Sequence, residues 1–339
     1  MLQFIVVMFN ISNRRYTGSK SQLVDWIMEL SRNHCSGDSF LDLFGGTGVV
    51  AEAASEHYRN ILINDFLPSN HATYQAFFGK GRFSQKKIDK YILEFNMLNA
   101  SDLEPNYFSE SYGDRYFSME NAKKIGYIRD FIESGKDKIT KREYWILITS
   151  LMYSADKIAN TVGHYDAYFR TSNNRGTLLV KSISPKEDSK FDIYCEDSNK
   201  LARRVESDIV YIDPPYNSRQ YSRFYHVLDN LVSWQKPELF GVAMKPEPVN
   251  MSDYSKVSAK KAFADLIDSL NCKHIIVSYN NTYNPKSSSS KNKITLEEIV
   301  EILSKKGKTI SESKSHKHFN AGNTQFDDHK EYVFITQVQ

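Results

Sequence analysis

Near the middle of the chain, a polar and aromatic run directly follows a strongly apolar, β-rich segment. The segment Asp208–Ile212 is followed by Asp213, Pro214, Pro215 and Tyr216. Neither proline has a backbone N–H, so the chain has to leave the sheet at the acid. In an open α/β sheet, ligands bind at the carboxyl ends of the strands. The pattern therefore predicts a buried parallel strand that brings a carboxylate, two carbonyls and a phenol ring to a binding crevice.

These groups suit chemistry on the exocyclic amine of a purine, which is a poor nucleophile because its lone pair is delocalised into the ring. The Asp213 carboxylate and the Pro214 carbonyl can accept hydrogen bonds from the two N–H groups, which favours a tetrahedral nitrogen and frees the lone pair. Tyr216 can stack on the base, an interaction worth about 1–3 kcal/mol. The plainer interpretation is a strand that ends in an Asp-Pro turn.

A second candidate ligand site lies at the first predicted core strand, Ser39–Phe44, which contains Asp42. An alanine-rich helix follows, after a turn made of Gly45, Gly46, Thr47 and Gly48. Glycines let the backbone turn tightly and approach a ligand closely. Their spacing is not the GxGxxG of dinucleotide sites, so that cofactor class is disfavoured.

The second predicted strand, Asn60–Asp65, also ends in an acid. Asp65 lies 23 residues after Asp42, and an acid about 20 residues beyond a glycine turn contacts ribose hydroxyls in α/β folds. Asp65 is therefore predicted to bind a ribose, with Phe66 beside the adenine. An Asp that caps the next helix is the alternative. Further upstream, Lys20 in a loop before a helix suits a carboxylate ligand, or is a solvated basic residue.

The alternation of strands and helices is lost over residues 71–189. Within this stretch, residues 121–142 carry seven basic and three acidic side chains, and Arg170 and Arg175 lie among polar and aromatic residues. Base-edge and phosphate contacts require such side chains. The stretch is interpreted as a DNA-reading insertion, with a solvated helical lid as the alternative. Its helical patterns cover 86–98, 121–133 and 141–158.

Taken together, these motifs resemble a known family, the alpha class of adenine-N6 DNA methyltransferases. This Dam-like group includes many modification enzymes of restriction systems. The resemblance covers Arg14 to Tyr279, although residues 280–283 lack an acid that some relatives carry. The motifs, in chain order, are Tyr16 with Lys20, Asp42–Gly48, Asp65, Asp197 and Asp213–Tyr216.

The resemblance implies a Rossmann-like α/β sheet that binds S-adenosylmethionine, with an inserted, mainly helical target-recognition domain. Residues 10–70 and 190–339 would form the catalytic domain, and 71–189 the insertion. Tyr16 and Lys20 match the positions that hold the methionine end of the cofactor, where some relatives have Trp in place of Tyr16. Asp197 matches the acid that binds the adenine amine of the cofactor, and the adjacent Glu196 is the alternative.

The function implied is methylation of a flipped-out adenine at a specific site in double-stranded DNA, without a metal. Arg219 and Tyr221, just past the proposed catalytic turn, contact either the flanking phosphates or only the fold. The restriction-system relatives allow a cognate endonuclease as a second partner. Two other functions stay open: a methyltransferase for RNA or protein glutamine, in which Asn would be commoner than Asp213, and a non-catalytic nucleic-acid-binding module.

Composition sets the remaining bounds. The 339 residues suffice for one large or two ordinary domains, and a net charge of +3 is compatible with a polyanionic partner. Three widely spaced cysteines fit neither a disulfide framework nor a zinc site, which favours a cytoplasmic location. The apolar start over residues 1–9 is too short to span a bilayer.

Overall fold

The chain divides into two compact units. The computed structural model describes residues 8–171, 176–187, 190–215, 220–280, 294–315 and 330–339. What we name the helical unit comprises Met1–Ser19, Leu67–Phe191 and Ser222–Val249. What we name the sheet unit comprises Lys20–Phe66, Asp192–Tyr221 and Asn250–Gln339.

The described residues form seven strands in one sheet, with the order β3-β2-β1-β4-β5-β7-β6. Strands β1, β2, β4 and β5 run parallel where they pair, whereas β7 is antiparallel to both β5 and β6. The predicted α/β sheet is thereby confirmed, and β6 and β7 form an antiparallel pair at one edge. The strands are β1 (Ser39–Asp42), β2 (Asn60–Asn64), β3 (Phe191–Tyr194), β4 (Ile209–Ile212), β5 (His274–Asn280), β6 (Gly307–Ser315) and β7 (Lys330–Val338).

Twelve α-helices occur in the same described ranges. They are α1 (Val24–His34), α2 (Val49–Ala54), α3 (Pro68–Phe78), α4 (Gln85–Met97), α5 (Tyr107–Tyr112), α6 (Met119–Ser134), α7 (Lys141–Ile158), α8 (Ser198–Ala202), α9 (Tyr221–Phe224), α10 (His226–Ser233), α11 (Ala259–Ser269) and α12 (Leu296–Ser304). No helix among the described residues combines the length and the apolar character that a membrane span requires.

The sheet unit buries both faces of its central strands, as parallel sheets require. Every residue of β4 and β5 is buried. On one face, Val210 and Ile275 pack in a common core with Phe263 of α11 and Ile299 of α12. On the other face, Phe40 stacks on Tyr58 at a centroid distance of 5.3 Å. This double cover explains why β4 and β5 are recognisable as continuous apolar runs.

The helical unit is built around α7, which is buried over most of its length. The helix begins at a capping box, in which Thr140 accepts from the backbone N–H of Glu143 and Glu143 accepts from that of Thr140. Helix α3 packs against it, with Thr149 donating to the carbonyl of Ala72 at 3.2 Å. The observed bounds of α4, α6 and α7 lie within two residues of the predicted helical patterns. Residues 222–249 also belong to this unit.

Candidate active site

The proposed catalytic acid follows the end of a central strand. Strand β4 is completely buried between β1 and β5, and Asp213 is the first residue beyond it. Pro214 is buried and Pro215 is half-buried, and both lie outside the strand, as the missing N–H groups require. Tyr216 lies outside the described residues. The carboxyl end of β4 therefore presents the Asp213 carboxylate at the edge where parallel sheets bind ligands.

Asp213 takes part in a chain of charged side chains that the sequence did not reveal. The Nζ of Lys20 lies 2.9 Å from Oδ2 of Asp213 and 3.2 Å from Oε1 of Glu331. The side chains of Lys20, Asp213 and Glu331 are 5%, 15% and 3% exposed, respectively. Oδ1 of Asp213 is buried and has no hydrogen-bond partner among the described residues. One carboxylate oxygen of Asp213 is thus held by Lys20, and the other is left to accept a hydrogen bond.

The surroundings of Asp213 alter its ionisation. Burial raises its pKa, Lys20 opposes the rise and Glu331 adds to it, with a resulting pKa of about 6. Burial also raises the pKa of Asp42 well above its usual value, and the neighbouring carboxylates of Asp213 and Asp65 contribute. Neither oxygen of Asp42 has a well-directed hydrogen-bond partner within the described ranges. This edge of the sheet therefore brings together the carboxyl groups of Asp42, Asp65 and Asp213, and a cationic ligand would favour their ionised forms.

The glycine turn after β1 is shaped by its neighbours. Gly46 and Gly48 have φ values of 53° and 87°, a left-handed conformation that glycine adopts at little cost. The Gly45 N–H donates to the carbonyl of Asn64 at 2.8 Å, and the Gly46 N–H donates to Oδ2 of Asp65 at 2.9 Å. Thr47 is buried within the turn. The structure thus brings the predicted ribose ligand, Asp65, against the predicted cofactor turn.

Asn64, which belongs to none of the sequence motifs, connects the ends of three strands. Its Nδ2 donates to the carbonyls of Leu43 and Glu196, each at 3.1 Å, and its Oδ1 accepts from the N–H of Glu196 at 3.1 Å. Ser198 also donates to the Leu43 carbonyl, at 2.9 Å. A polar residue at the end of an apolar strand was the one signal available for Asn64. For Glu331, the signal was an acid at the start of an otherwise apolar strand.

The other predicted cofactor residues of the sheet unit have local partners. Asp197 caps α8, because its Oδ1 accepts from the N–H of Lys200 at 3.0 Å, and Glu196 forms an ion pair with Arg204. Phe44 packs edge-on against Tyr254 at 5.1 Å. The backbone carbonyl of Phe66 accepts from Asn250 at 2.9 Å.

Tyr16 belongs to the helical unit, where its ring is firmly packed. It stacks on Tyr225 with centroids 4.8 Å apart, and the guanidinium of Arg14 lies 5.4 Å from the centre of its ring. Asn70 donates to the Tyr16 hydroxyl at 3.3 Å. The sequence signal at Tyr16 therefore corresponds to a fixed aromatic position in that unit.

The predicted DNA-contacting residues are only partly described. Arg170 is exposed in the helical unit, and Tyr221 is half-buried at the first position of α9. Arg175 and Arg219 lie outside the described residues. In the basic stretch 121–142, Arg129 and Arg142 are buried, so two of its seven basic side chains serve the interior of the unit instead of its surface. No group of three or more metal-binding side chains occurs among the described residues.

Comparison with known proteins shows the family of the chain. The family model of the D12 class N6 adenine-specific DNA methyltransferases matches residues 16–290, and the chain belongs to this family. Modification methylase StsI of Streptococcus sanguinis is 36% identical over 286 residues, which cover 79% of this chain and 44% of that protein. Type II methyltransferase M.FokI of Planomicrobium okeanokoites is 33% identical, over 86% of this chain and 47% of that protein.

A shorter relative aligns along nearly its whole length. Type II methyltransferase M.CviAII of Paramecium bursaria Chlorella virus 1 is 29% identical, over 96% of this chain and 98% of its own. The chain thus spans a little under half the length of StsI and M.FokI, and nearly all of M.CviAII.

Proposed function

We propose that the chain is a site-specific DNA adenine-N6 methyltransferase, which transfers a methyl group from S-adenosylmethionine to the exocyclic amine of a flipped-out adenine in duplex DNA. Membership of the D12 family and the modification methylases among its relatives support this. The observation that carries the proposal is the Asp213 carboxylate at the end of β4, with one oxygen held by Lys20 and the other without a partner in the described part of the chain.

Features of the sheet unit support S-adenosylmethionine as the cofactor. A cationic sulfonium suits an edge that carries the carboxylates of Asp42, Asp65 and Asp213, and the left-handed glycines allow close approach of the backbone. When bound, the cofactor would supply a methyl group to N6 and leave as a neutral thioether, while one N6 proton would be released to the solvent. In this proposal Tyr16 and Lys20 hold its methionine end, Asp65 its ribose, Phe66 its adenine ring and Asp197 its adenine amine, while Asp42, Phe44, Gly45, Gly46, Thr47 and Gly48 line the site.

The chain's own part in the reaction is to bind and orient the target amine. Oδ1 of Asp213 and the carbonyl of Pro214 accept its two N–H groups, and this directs the nitrogen lone pair away from the ring system. Tyr216 and the Pro215 ring border the base, and flipping the adenine costs a few kcal/mol that such contacts offset. Asp213 acts as an ionised acceptor, so its pKa of about 6 implies that activity falls below that pH.

We also propose that residues 71–189 read the DNA target, while 10–70 and 190–339 carry the chemistry. The helices over 85–158 and the exposed side chain of Arg170 support this division. Arg170, Arg175, Arg219 and Tyr221 are the proposed contacts to DNA. Because StsI and M.CviAII are named as a modification methylase and a type II methyltransferase, a cognate endonuclease is a proposed second partner.

The test is a tritium-transfer assay with the full chain, labelled S-adenosylmethionine, and duplex DNA, RNA and protein as separate acceptors. We expect label in DNA only, recovered as N6-methyladenine after digestion to nucleosides. Asp213→Ala should lower the rate by at least about 10²-fold, as removal of one preorganised catalytic group typically does. Asp268→Ala, a change at an exposed Asp on α11, is the matched control and should retain the wild-type rate.

Each alternative function predicts a different outcome of this assay. Label in RNA or in protein glutamine would replace the DNA assignment. An absence of label in every acceptor, despite binding of DNA, would favour a non-catalytic module. Wild-type turnover by Asp213→Ala would refute the role of this carboxylate even if DNA were the acceptor.

A further inference from the structure

Glu331 is a buried acid for which neither the sequence motifs nor the family match accounts. It lies in β7, beyond the matched residues 16–290, and its side chain is 3% exposed. Strand β7 runs antiparallel to β5, with Glu331 opposite Asn280 at the carboxyl end of β5. Glu331 therefore reaches the same edge of the sheet as Asp213. In the sequence, Glu331 and Lys20 lie near opposite ends of the chain.

A buried carboxylate is costly unless a charge or hydrogen bonds compensate for it. For Glu331 the compensating charge is Lys20, whose Nζ lies 3.2 Å from Oε1 in an ion pair that lacks the geometry of a hydrogen bond. The same Nζ lies 2.9 Å from Oδ2 of Asp213. Lys20 itself is 5% exposed, so its ammonium group is confined between two carboxylates with little access to water.

We propose that Glu331 is a positioning residue for methyl transfer, which holds Lys20 so that Lys20 fixes Oδ2 of Asp213 and leaves Oδ1 directed at the target amine. This inference rests on the proposed function and names a further residue of the same site. Three observations support it: the burial of all three side chains, the two distances at Nζ, and the partner-free Oδ1 among the described residues. Methyl transfer tolerates only small displacements of the reacting groups, so Asp213 is a better acceptor when Lys20, which holds it, is itself fixed in position.

Glu331 also acts on the charge of Asp213. The charged and titratable groups that influence Asp213 are Lys20, Glu331, Asp42 on β1 and Tyr211 on β4. Lys20 favours the ionised form of Asp213, whereas the negative charge of Glu331 opposes it. A neutral side chain at position 331 should therefore let Asp213 ionise at lower pH. A shorter side chain that keeps the negative charge should instead weaken the contact that holds Lys20 in place.

Two variants separate these effects. In Glu331→Gln the amide oxygen still reaches Lys20, so kcat on the alkaline plateau should stay within about threefold, while the acidic limb of the pH–rate profile moves about one pH unit lower. In Glu331→Asp the charge remains but the contact is lengthened, so kcat should fall about 10-fold or more. Because positioning acts on the reacting geometry, the KM values for DNA and S-adenosylmethionine should change less than kcat. The matched control is Glu312→Gln, at an exposed position of β6.

A readout without turnover separates failure of this inference from failure of the proposed function. The carboxyl carbon of Asp213 can be titrated by NMR in ¹³C-Asp-labelled protein without substrates, with Asp213→Asn for assignment. A lower Asp213 pKa in Glu331→Gln supports the charge chain even if the wild type fails to methylate DNA. An unchanged Asp213 titration together with wild-type kcat in both variants would overturn the inference. If one of the two variants unfolds, kcat and the Asp213 titration of the other variant, compared with those of the wild type, still test the role of Glu331.

Discussion

Replacing Asn64 by Ala should destabilise the sheet unit more than its small change in volume suggests. Asn64 is fully buried, and its amide donates to the carbonyls of Leu43 and Glu196 and accepts from the N–H of Glu196. Leu43 keeps a partner in Ser198, but the structure shows no second side-chain partner for the two Glu196 groups among the described residues. Two to three such bonds, at about 1–1.5 kcal/mol each, give an expected loss of about 3 kcal/mol.

Urea unfolding followed by circular dichroism measures this loss, and the chain provides a matched control. Asn60 begins the same strand, but its side chain is exposed, so Asn60→Ala should change the free energy of unfolding by less than about 0.5 kcal/mol. Because Asn64 fixes the ends of β1, β2 and β3, we also expect weaker binding of S-adenosylmethionine to Asn64→Ala at temperatures where the protein remains folded. Calorimetric titration measures that affinity.

Equal free energies of unfolding for Asn64→Ala and Asn60→Ala would refute the reasoning. They would show that the burial and the hydrogen bonds of Asn64 contribute nothing to stability beyond strand propensity. A large loss of stability with unchanged cofactor affinity would refute only the second step. In that case the three strand ends would be held together without setting the geometry of the glycine turn.

Two further predictions concern buried or partly buried charges elsewhere in the chain. Asp208 pairs with Lys273 and accepts from the backbone N–H of Asp38 and from the N–H and hydroxyl of Ser39, and these contacts lower its pKa. Its contribution is therefore present above the unfolded-state pKa of about 3.9 and is lost as the pH falls, so Asp208→Asn should cost about 1–2 kcal/mol in urea unfolding at pH 7, and less at pH 3. Arg129 is 0% exposed and donates to the carbonyls of Leu231 and Val232 in the last turn of α10. Arg129→Met should lower stability by about 2–4 kcal/mol, measured by the same method at pH 7.

The strands of the sheet could be predicted because their signals are local. Strands β4 and β5 are buried on both faces, so they read as continuous apolar runs that end at polar residues. The bounds of α7 match the predicted helical pattern because its capping box and its periodic apolar residues are both local features of the sequence. The observed strand ends differ slightly from the predicted ones. Strand β2 ends at Asn64, so that Asp65 begins the loop, and β1 ends at Asp42, so that Leu43 and Phe44 lie beyond the ladder.

Contacts between distant parts of the chain could not be predicted. Lys20 was expected either to contact a ligand or to be solvated. Its pairing with Asp213 and Glu331 depends on the order of strands in the sheet, which no local pattern states. The count of basic residues over 121–142 had a similar weakness. A count of charges does not reveal which face of a helix carries each one, and Arg129 faces the interior of the helical unit.

The strand order explains why the proposed chemistry is concentrated in one place. Moving outward from β1, the chain continues to β2 and β3 on one side and to β4 and β5 on the other. Ligands of α/β sheets bind at such a reversal, beyond the carboxyl ends of the two strands that flank it. Here the glycine turn follows β1 and Asp213 follows β4, and neighbouring strands lie about 4.8 Å apart. Because β7 is antiparallel, its amino-terminal end lies at this edge of the sheet, where a further parallel strand would place its carboxyl end. The first residues of β7 therefore bring Glu331 within 3.2 Å of the Lys20 Nζ.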